Sequence, residues 1–129
     1  MSFAIVGGKK VAPETAAALG RIPWWCLQTL KKYITQGVGD APASKGTHLS
    51  GHAIDIRTRG LSDGWIYAMV IHLQSVGFAA VLRLSGEAGP TEHIHAALLG
   101  YSNSRAVAPL TRPGAKNHID RKLNERRGA

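Results

Sequence analysis

The chain has 129 residues, which suits one compact domain that buries enough surface to fold without covalent cross-links. Its single cysteine excludes an intramolecular disulfide and a Cys-type zinc finger, so any metal site has to use histidine and carboxylate ligands. Sixteen Lys and Arg against eight Asp and Glu give a net charge of +8. No apolar run is long enough for a signal-peptide core or a membrane span, so we expect cytoplasmic synthesis.

The first third of the chain predicts two helices. A proline near the first turn and a glycine at the end predict a short helix over residues 12–20. A second helix is predicted over residues 23–36, because its apolar residues recur at helical spacing until a glycine ends the pattern. Trp24 and Trp25 open this helix, and we interpret them as core residues and not as a ligand-binding surface.

The middle of the chain predicts a loop followed by a strand. Residues 37–51 are rich in Gly, Ala, Ser and Pro, which is typical of a loop. Residues 53–58 alternate in the manner of a strand, with Ile54 and Ile56 on one face. Asp55 is therefore predicted to point away from the apolar face.

The next segment predicts the main core helix and two further strands. Residues 62–76 carry a broad apolar stripe behind a serine cap. Strands are predicted over residues 78–84 and 93–98, with a Gly- and Pro-containing turn over residues 85–91 between them. Regular patterning fades after Tyr101, so residues 1–102 are expected to form the domain.

Residues 103–129 are predicted to be a basic tail appended to that domain. From Arg105 onward there are seven basic residues against two acidic ones, so about five of the eight net charges lie there. Such a tail favours polyanions, either nucleic acid, an anionic membrane surface or anionic cell-wall polymers. A solvated tail that only promotes solubility is the alternative.

Two short clusters contain the residues for metal chemistry, residues 48–55 and residues 92–95, and together they hold four of the six histidines. A catalytic zinc ion takes three protein ligands from His and carboxylate and keeps one position open for water. His48, Asp55 and His95 supply that set. Gly51 lets the loop between the first two turn, and Ala53 leaves space near the metal.

Glu92 is the candidate for proton transfer. The turn before it places Glu92 at the end of a loop, where its side chain can point toward the metal. Bound zinc lowers the pKa of its water from 15.7 to roughly 7, and a neighbouring carboxylate can take the proton and pass it to a leaving amine. This is the chemistry of peptide-bond hydrolysis.

The other histidines are assigned by their positions. His93 shares a strand face with His95 and is assigned to substrate binding, with a metal ligand or an exposed residue as alternatives. His52 is a spare candidate ligand. His72 and His118 are interpreted as surface residues.

Two segments carry a resemblance to a known family. Residues 46–55 (GTHLSGHAID) match the pattern Ser-x-His-x-x-Gly-x-Ala-x-Asp except at its serine, and residues 92–95 (EHIH) match an acidic-x-x-His pattern. In both, the chain resembles the zinc D-alanyl-D-alanine carboxypeptidases and L-alanyl-D-glutamate endopeptidases of bacterial and phage cell-wall metabolism. These peptidases are related in fold to the Hedgehog signalling domain.

The resemblance implies a fold, a cofactor and roles. It implies an α+β fold with a small antiparallel sheet packed against helices, a Zn²⁺ ion bound by His48, Asp55 and His95, and Glu92 as the catalytic base. An arginine that holds the substrate carbonyl or carboxylate in relatives has no clear counterpart before His48. Lys45, Arg57 or Arg83 are the alternatives for that contact.

The leading hypothesis is a zinc peptidase that cuts peptides of bacterial peptidoglycan, with the basic tail on the anionic wall. Without a signal peptide, a phage lysin released by lysis or a virion-associated enzyme is expected, with a cytoplasmic dipeptidase as the alternative. The second hypothesis is a zinc-containing binding module of the same fold without catalysis. Nucleic-acid binding through the tail ranks last, because the tail lacks aromatic residues for stacking.

Overall fold

The computed structural model describes residues 2–38, 50–87, 89–101 and 112–128. Within those residues the chain forms six strands and four helices. In chain order these are β1 (Ala4–Val6), β2 (Lys9–Val11), α1 (Pro13–Leu19), α2 (Trp24–Tyr33), β3 (Ile34–Gln36), β4 (Ala53–Arg57), α3 (Asp63–Ser75), β5 (Phe78–Arg83), β6 (His93–Leu98) and α4 (Arg112–Gly128).

The strands form two antiparallel sheets, and the prediction of an α+β fold is confirmed. The larger sheet has the strand order β3-β4-β6-β5. The smaller one is the hairpin of β1 and β2, which the sequence analysis missed. Its two-residue turn uses Gly7 and Gly8 at φ values of 57° and 81°, the positive values that tight hairpins require and that glycine tolerates best.

One face of the larger sheet forms the core, because the side chains alternate along each strand. Ile54 and Ile56 of β4 and Ile94 of β6 are fully buried on this face. Helix α3 packs against β5 and β6. Its buried residues recur at helical spacing, which confirms it as a core element: they are Ile66, Met69, Val70 and Leu73.

Helix α2 ends earlier than predicted, at Tyr33, and residues 34–36 form β3. Ile34 and Thr35 are β-branched, which disfavours helix and suits a strand. Pairing with β4 then decides in favour of the strand.

The interpretation of the two tryptophans as core residues is wrong. Trp24 is 75% exposed and Trp25 is 47% exposed. The buried side of α2 is formed instead by Cys26 and Leu30, both fully buried. Trp25 contacts the ring of Trp65 on α3, with 5.7 Å between the ring centroids, so part of its ring is covered. Helix α2 therefore places aromatic rings on the surface.

The C-terminal region also differs from the expectation of an unpatterned appendage. Residues 112–128 form α4, which packs against α3 and β5. Ile119 and Leu123 are buried, and their four-residue spacing puts them on one side of the helix. Because this apolar stripe is short and is surrounded by charged residues, the composition of the segment does not indicate a helix that packs on the core.

Helix α4 covers the edge of the larger sheet. The backbone N–H of Leu82, on the edge strand β5, donates to Nε2 of His118 over 3.1 Å. An edge strand otherwise exposes such groups to solvent. His118 is therefore half-buried and structural, and its interpretation as a surface residue is wrong.

Among the residues that the structure describes, no helix combines the length and the apolar character needed to cross a membrane.

Candidate metal centre

Two of the three predicted zinc ligands lie side by side in the larger sheet. Strands β4 and β6 are antiparallel neighbours, and their register pairs Asp55 with His95. Directly opposed residues of an antiparallel pair have Cβ atoms about 4.5–5.5 Å apart, so their side chains meet on one face. Nδ1 of His95 lies 2.9 Å from Oδ1 of Asp55. The structure thus brings together two residues that are 40 positions apart in the sequence.

This pair lies on the polar face of the sheet and is largely shielded. The side chain of His95 is 2% exposed and that of Asp55 is 18% exposed. Asp55 is on the face opposite Ile54 and Ile56, as the alternation of the strand predicted. A carboxylate beside an imidazole in a partly buried position is a suitable pair of ligands for zinc.

Gly51 fixes the start of the strand that carries Asp55. Its φ of 80° lies in the left-handed region, which confirms that this glycine allows the loop to turn. Its carbonyl accepts hydrogen bonds from the Ala12 backbone N–H at 3.0 Å and from Oγ1 of Thr15 at 2.7 Å. A Cβ at this position would meet the Ala12 nitrogen at 2.6 Å, so only glycine fits. Helix α1 therefore anchors the loop-to-strand junction.

The third predicted ligand, His48, lies outside the residues that the structure describes. Within the described part of the chain, no group of three or more His, Cys, Asp or Glu side chains is placed to hold a metal ion. Asp55 and His95 supply two ligands of the predicted set. The assignment of all three residues to zinc stays a prediction.

Glu92 directly precedes β6 and is held by two other elements. Its Oε1 accepts from Oγ1 of Thr58 at 2.5 Å, just after β4. Nε of Arg126, on α4, donates to Oε1 at 2.9 Å and to Oε2 at 3.2 Å. Nη1 of the same arginine donates to Oδ1 of Asp63 at 2.6 Å. The candidate proton-transfer residue is thus part of an ionic network.

The network also affects the arginine itself. Partial burial lowers the pKa of Arg126, but hydrogen bonds and Coulomb attraction from Glu92 and Asp63 outweigh it and raise this pKa above its usual value. The guanidinium is therefore always charged, and it stays a donor to both carboxylates.

His93 and Arg83 extend the polar face beyond the pair. The register places His93 between Arg57 of β4 and Arg83 of β5. Nδ1 of His93 lies 2.8 Å from the Thr91 carbonyl, and because a carbonyl only accepts, Nδ1 carries the proton.

Arg83 is the better placed of the two strand arginines. Burial lowers its pKa, and attraction from the Asp55 and Glu87 carboxylates opposes this shift. Electrostatic attraction therefore acts between the Arg83 guanidinium and the Asp55 carboxylate. The guanidinium of Arg57 instead lies over the Tyr33 ring, 4.9 Å from its centroid.

His52 is engaged away from the pair. Nδ1 is 2.8 Å from Oγ of Ser50, Nε2 is 3.2 Å from Oε2 of Glu14, and the ring stacks on Tyr101. Both ring nitrogens thus have partners on other segments. His72 packs edge-on against Trp25.

Arg126 and Thr58 are partners of Glu92 that no pattern in the sequence indicates. Thr58 ends the alternating strand segment and carries no signal that singles it out. Arg126 lies 34 residues after Glu92, in a region read as a tail, so only the docking of α4 reveals the contact.

The basic charges of α4 are partly neutralised within the chain. Four of its basic side chains form ion pairs, which are Lys116–Asp120, Lys122–Glu87, Arg126–Glu92 and Arg127–Asp63. Less positive charge is therefore available to an external polyanion than the sequence suggests.

Comparisons of the chain with protein-family models, with curated proteins and with solved structures found no match.

Proposed function

We propose that this chain is a zinc-dependent peptidase that hydrolyses peptide bonds of bacterial peptidoglycan and has the Hedgehog-like fold of the cell-wall peptidases it resembles. The observation that carries the proposal is the cross-strand pair of Asp55 and His95, with 2.9 Å between Oδ1 and Nδ1. The signature around residues 48–55 specified this aspartate and the signature at residues 92–95 specified this histidine. Two separate sequence patterns thus name two residues that are neighbours across the sheet.

The donor chemistry of the pair fits zinc. Carboxylate oxygen and imidazole nitrogen are both common zinc ligands, and a catalytic site needs only three protein ligands. His48 is proposed as the third. Zinc, when bound, supplies Lewis acidity that activates water and polarises a carbonyl.

Glu92 is proposed to receive and return the proton. A carboxylate has about four lone-pair positions, and Oε1 uses two of them for Thr58 and Arg126. Oε2 accepts only the longer contact to Arg126 among the described residues, at 3.2 Å. A lone pair on Oε2 is therefore the position at which Glu92 takes up a proton and later gives it to the leaving amine.

His93 and Arg83 are proposed to contact the substrate. Because Nδ1 of His93 donates to the Thr91 carbonyl, Nε2 is the ring nitrogen that is left to contact a peptide group of the substrate. Arg83 is proposed to hold a substrate carbonyl or carboxylate, in preference to Arg57, because it is partly buried and lies within the field of Asp55. The anionic wall polymers remain candidate partners of the basic surface of α4.

A zinc-containing binding module is the second candidate, and the ion pair of Glu92 with Arg126 is the observation that favours it. Nε of Arg126 contacts both carboxylate oxygens of Glu92 and so occupies part of the space through which this carboxylate would reach a catalytic proton. This candidate predicts bound zinc without turnover.

One variant separates the two candidates. Glu92→Gln should lower hydrolysis of zinc-loaded protein by about 100-fold or more, since general-base catalysis typically contributes 10²–10⁴-fold, and zinc content should stay the same. The assay measures new amino groups released from purified peptidoglycan, with zinc determined by elemental analysis. Wild-type protein that is fully zinc-loaded and releases no amino groups would rule out the peptidase.

A further inference from the structure

Arg126 connects the last helix to the carboxylate proposed to transfer the proton. Its Nε contacts both oxygens of Glu92 and its Nη1 contacts Asp63, at the start of α3. One guanidinium therefore joins the beginning of β6 to the first turn of α3.

The contact is held more firmly than an ordinary surface ion pair. The side chains of Arg126 and Glu92 are 27% and 21% exposed. Helix α4 is anchored by the buried Leu123 and Ile119, which lie one and two turns before the arginine. Exposed ion pairs of long side chains contribute little because each has to be ordered, but here the helix and Asp63 already restrict the arginine.

The contacts orient the Glu92 carboxylate but do not use all of its lone pairs. A glutamate side chain has three rotatable bonds, and its carboxylate could otherwise point in many directions. Arg126 and the buried Thr58 restrict it from two sides, while Oε2 keeps a lone pair. Orientation of a reacting group is worth a large rate factor, because a misplacement of about 1 Å can cost about 100-fold.

We propose that Arg126 is a positioning residue that orients the Glu92 carboxylate for proton transfer, so that α4 belongs to the active site. This inference rests on the proposed peptidase function. It predicts that Arg126 affects turnover through Glu92 and not through substrate or zinc binding.

The test measures kcat and KM on purified peptidoglycan peptides with the zinc-loaded full chain, together with zinc content and Tm. Arg126→Gln should lower kcat by about 10- to 100-fold, with KM and zinc content within about twofold of wild type. Arg126→Lys should recover part of this loss, because a lysine keeps the charge but loses the planar fork. Arg121→Gln removes the same charge from an exposed position of α4 and should keep the wild-type kcat on these peptides, because they carry no anionic wall polymer for the basic surface of α4 to bind.

A double variant separates positioning from a general structural role. In a Glu92→Asp background the shorter side chain places the carboxylate too far from the guanidinium for a hydrogen bond. Arg126→Gln should then lower kcat by less than about threefold. A merely structural arginine would cost the same factor in both backgrounds. If Arg126→Gln does not fold, Arg126→Lys is used in the same cycle, with a smaller loss expected in the wild-type background alone.

The outcomes distinguish this inference from the proposed function. Zinc-loaded wild type without hydrolysis overturns both. An active wild type whose Arg126→Gln variant has an unchanged or higher kcat, or loses the same factor in both backgrounds, overturns only the role of Arg126.

Discussion

Helices α2 and α4 have opposite character. Helix α2 opens with two tryptophans and leaves one of them 75% exposed. Helix α4 is rich in Lys and Arg, yet it buries Ile119 and Leu123, half-buries His118 and places Arg126 in an ionic network with two other elements.

The difference arises from where each helix docks. Only a narrow side of α2 faces the core. The two tryptophans belong to the first turn of this helix and lie outside that side. Helix α4 lies across the edge strand β5 and the side of α3, where even two apolar residues one turn apart reach the core. Burial is thus set by the direction of a side chain and not by the hydrophobicity of its segment.

The largest expected effect comes from removing the apolar anchor of α4. Ile119→Ala should lower the free energy of unfolding by about 2–5 kcal/mol, because the side chain is fully buried and the substitution leaves a cavity. Chemical denaturation monitored by circular dichroism measures it. Arg121→Ala, on the exposed side of the same helix, is the control. Equal stability of the two variants would show that α4 does not dock as described.

An intermediate effect is expected from acidification, through His118. Burial, followed by repulsion from Arg121 and Lys122, lowers the pKa of His118 below its ordinary 6.5, and attraction from Glu87 and Glu125 only partly opposes this. The unfolded chain therefore takes up the proton first, so stability falls as the pH drops below about 6.5 toward the lowered folded-state pKa. Protonation also removes the acceptor for the Leu82 N–H.

The variant His118→Gln keeps a polar acceptor and removes the titration. The melting temperature of each protein is measured from about pH 7.5 down to about pH 5. Because only the wild type loses stability as His118 is protonated, its advantage over the variant should shrink as the pH falls. Parallel curves would contradict the role of His118.

The smallest effect is expected from the exposed Trp24 on α2. Trp24→Ala should change the free energy of unfolding by no more than about 0.5 kcal/mol, because the ring is mostly in solvent. Leu30→Ala on the same helix, at a fully buried position, should cost about 2–5 kcal/mol and is the matched control. A large loss for Trp24→Ala would mean that this ring is covered in solution, and would remove the contrast with α4.

Much of the domain was predictable because its signals are local. The alternation of residues 53–58 placed Asp55 on the polar face, and the cap and stripe of α3 predicted its extent closely. Ser62 indeed accepts from the Trp65 backbone N–H, at 3.2 Å. The end of α2 was wrong because β-strand pairing with β4 outweighed the helical spacing of residues 34–36.

The candidate site was predictable only as a set of residues. The signatures named Asp55, His95 and Glu92, but the cross-strand register that joins the first two is a property of the sheet. The partners of Glu92 were not predictable, since Thr58 and Arg126 each lie 34 residues from it, on opposite sides along the chain.

The sequence by itself determined the types of the central helices and strands, the position of the turning glycine and the residues available for metal chemistry. These depend on periodicity, backbone sterics and side-chain chemistry, which act over a few neighbouring residues. The tertiary structure decided that Asp55 meets His95, that Trp24 faces solvent and that Arg126 holds Glu92. Such contacts join distant segments, and they exist only once the sheet register and the docking of α4 bring those segments together.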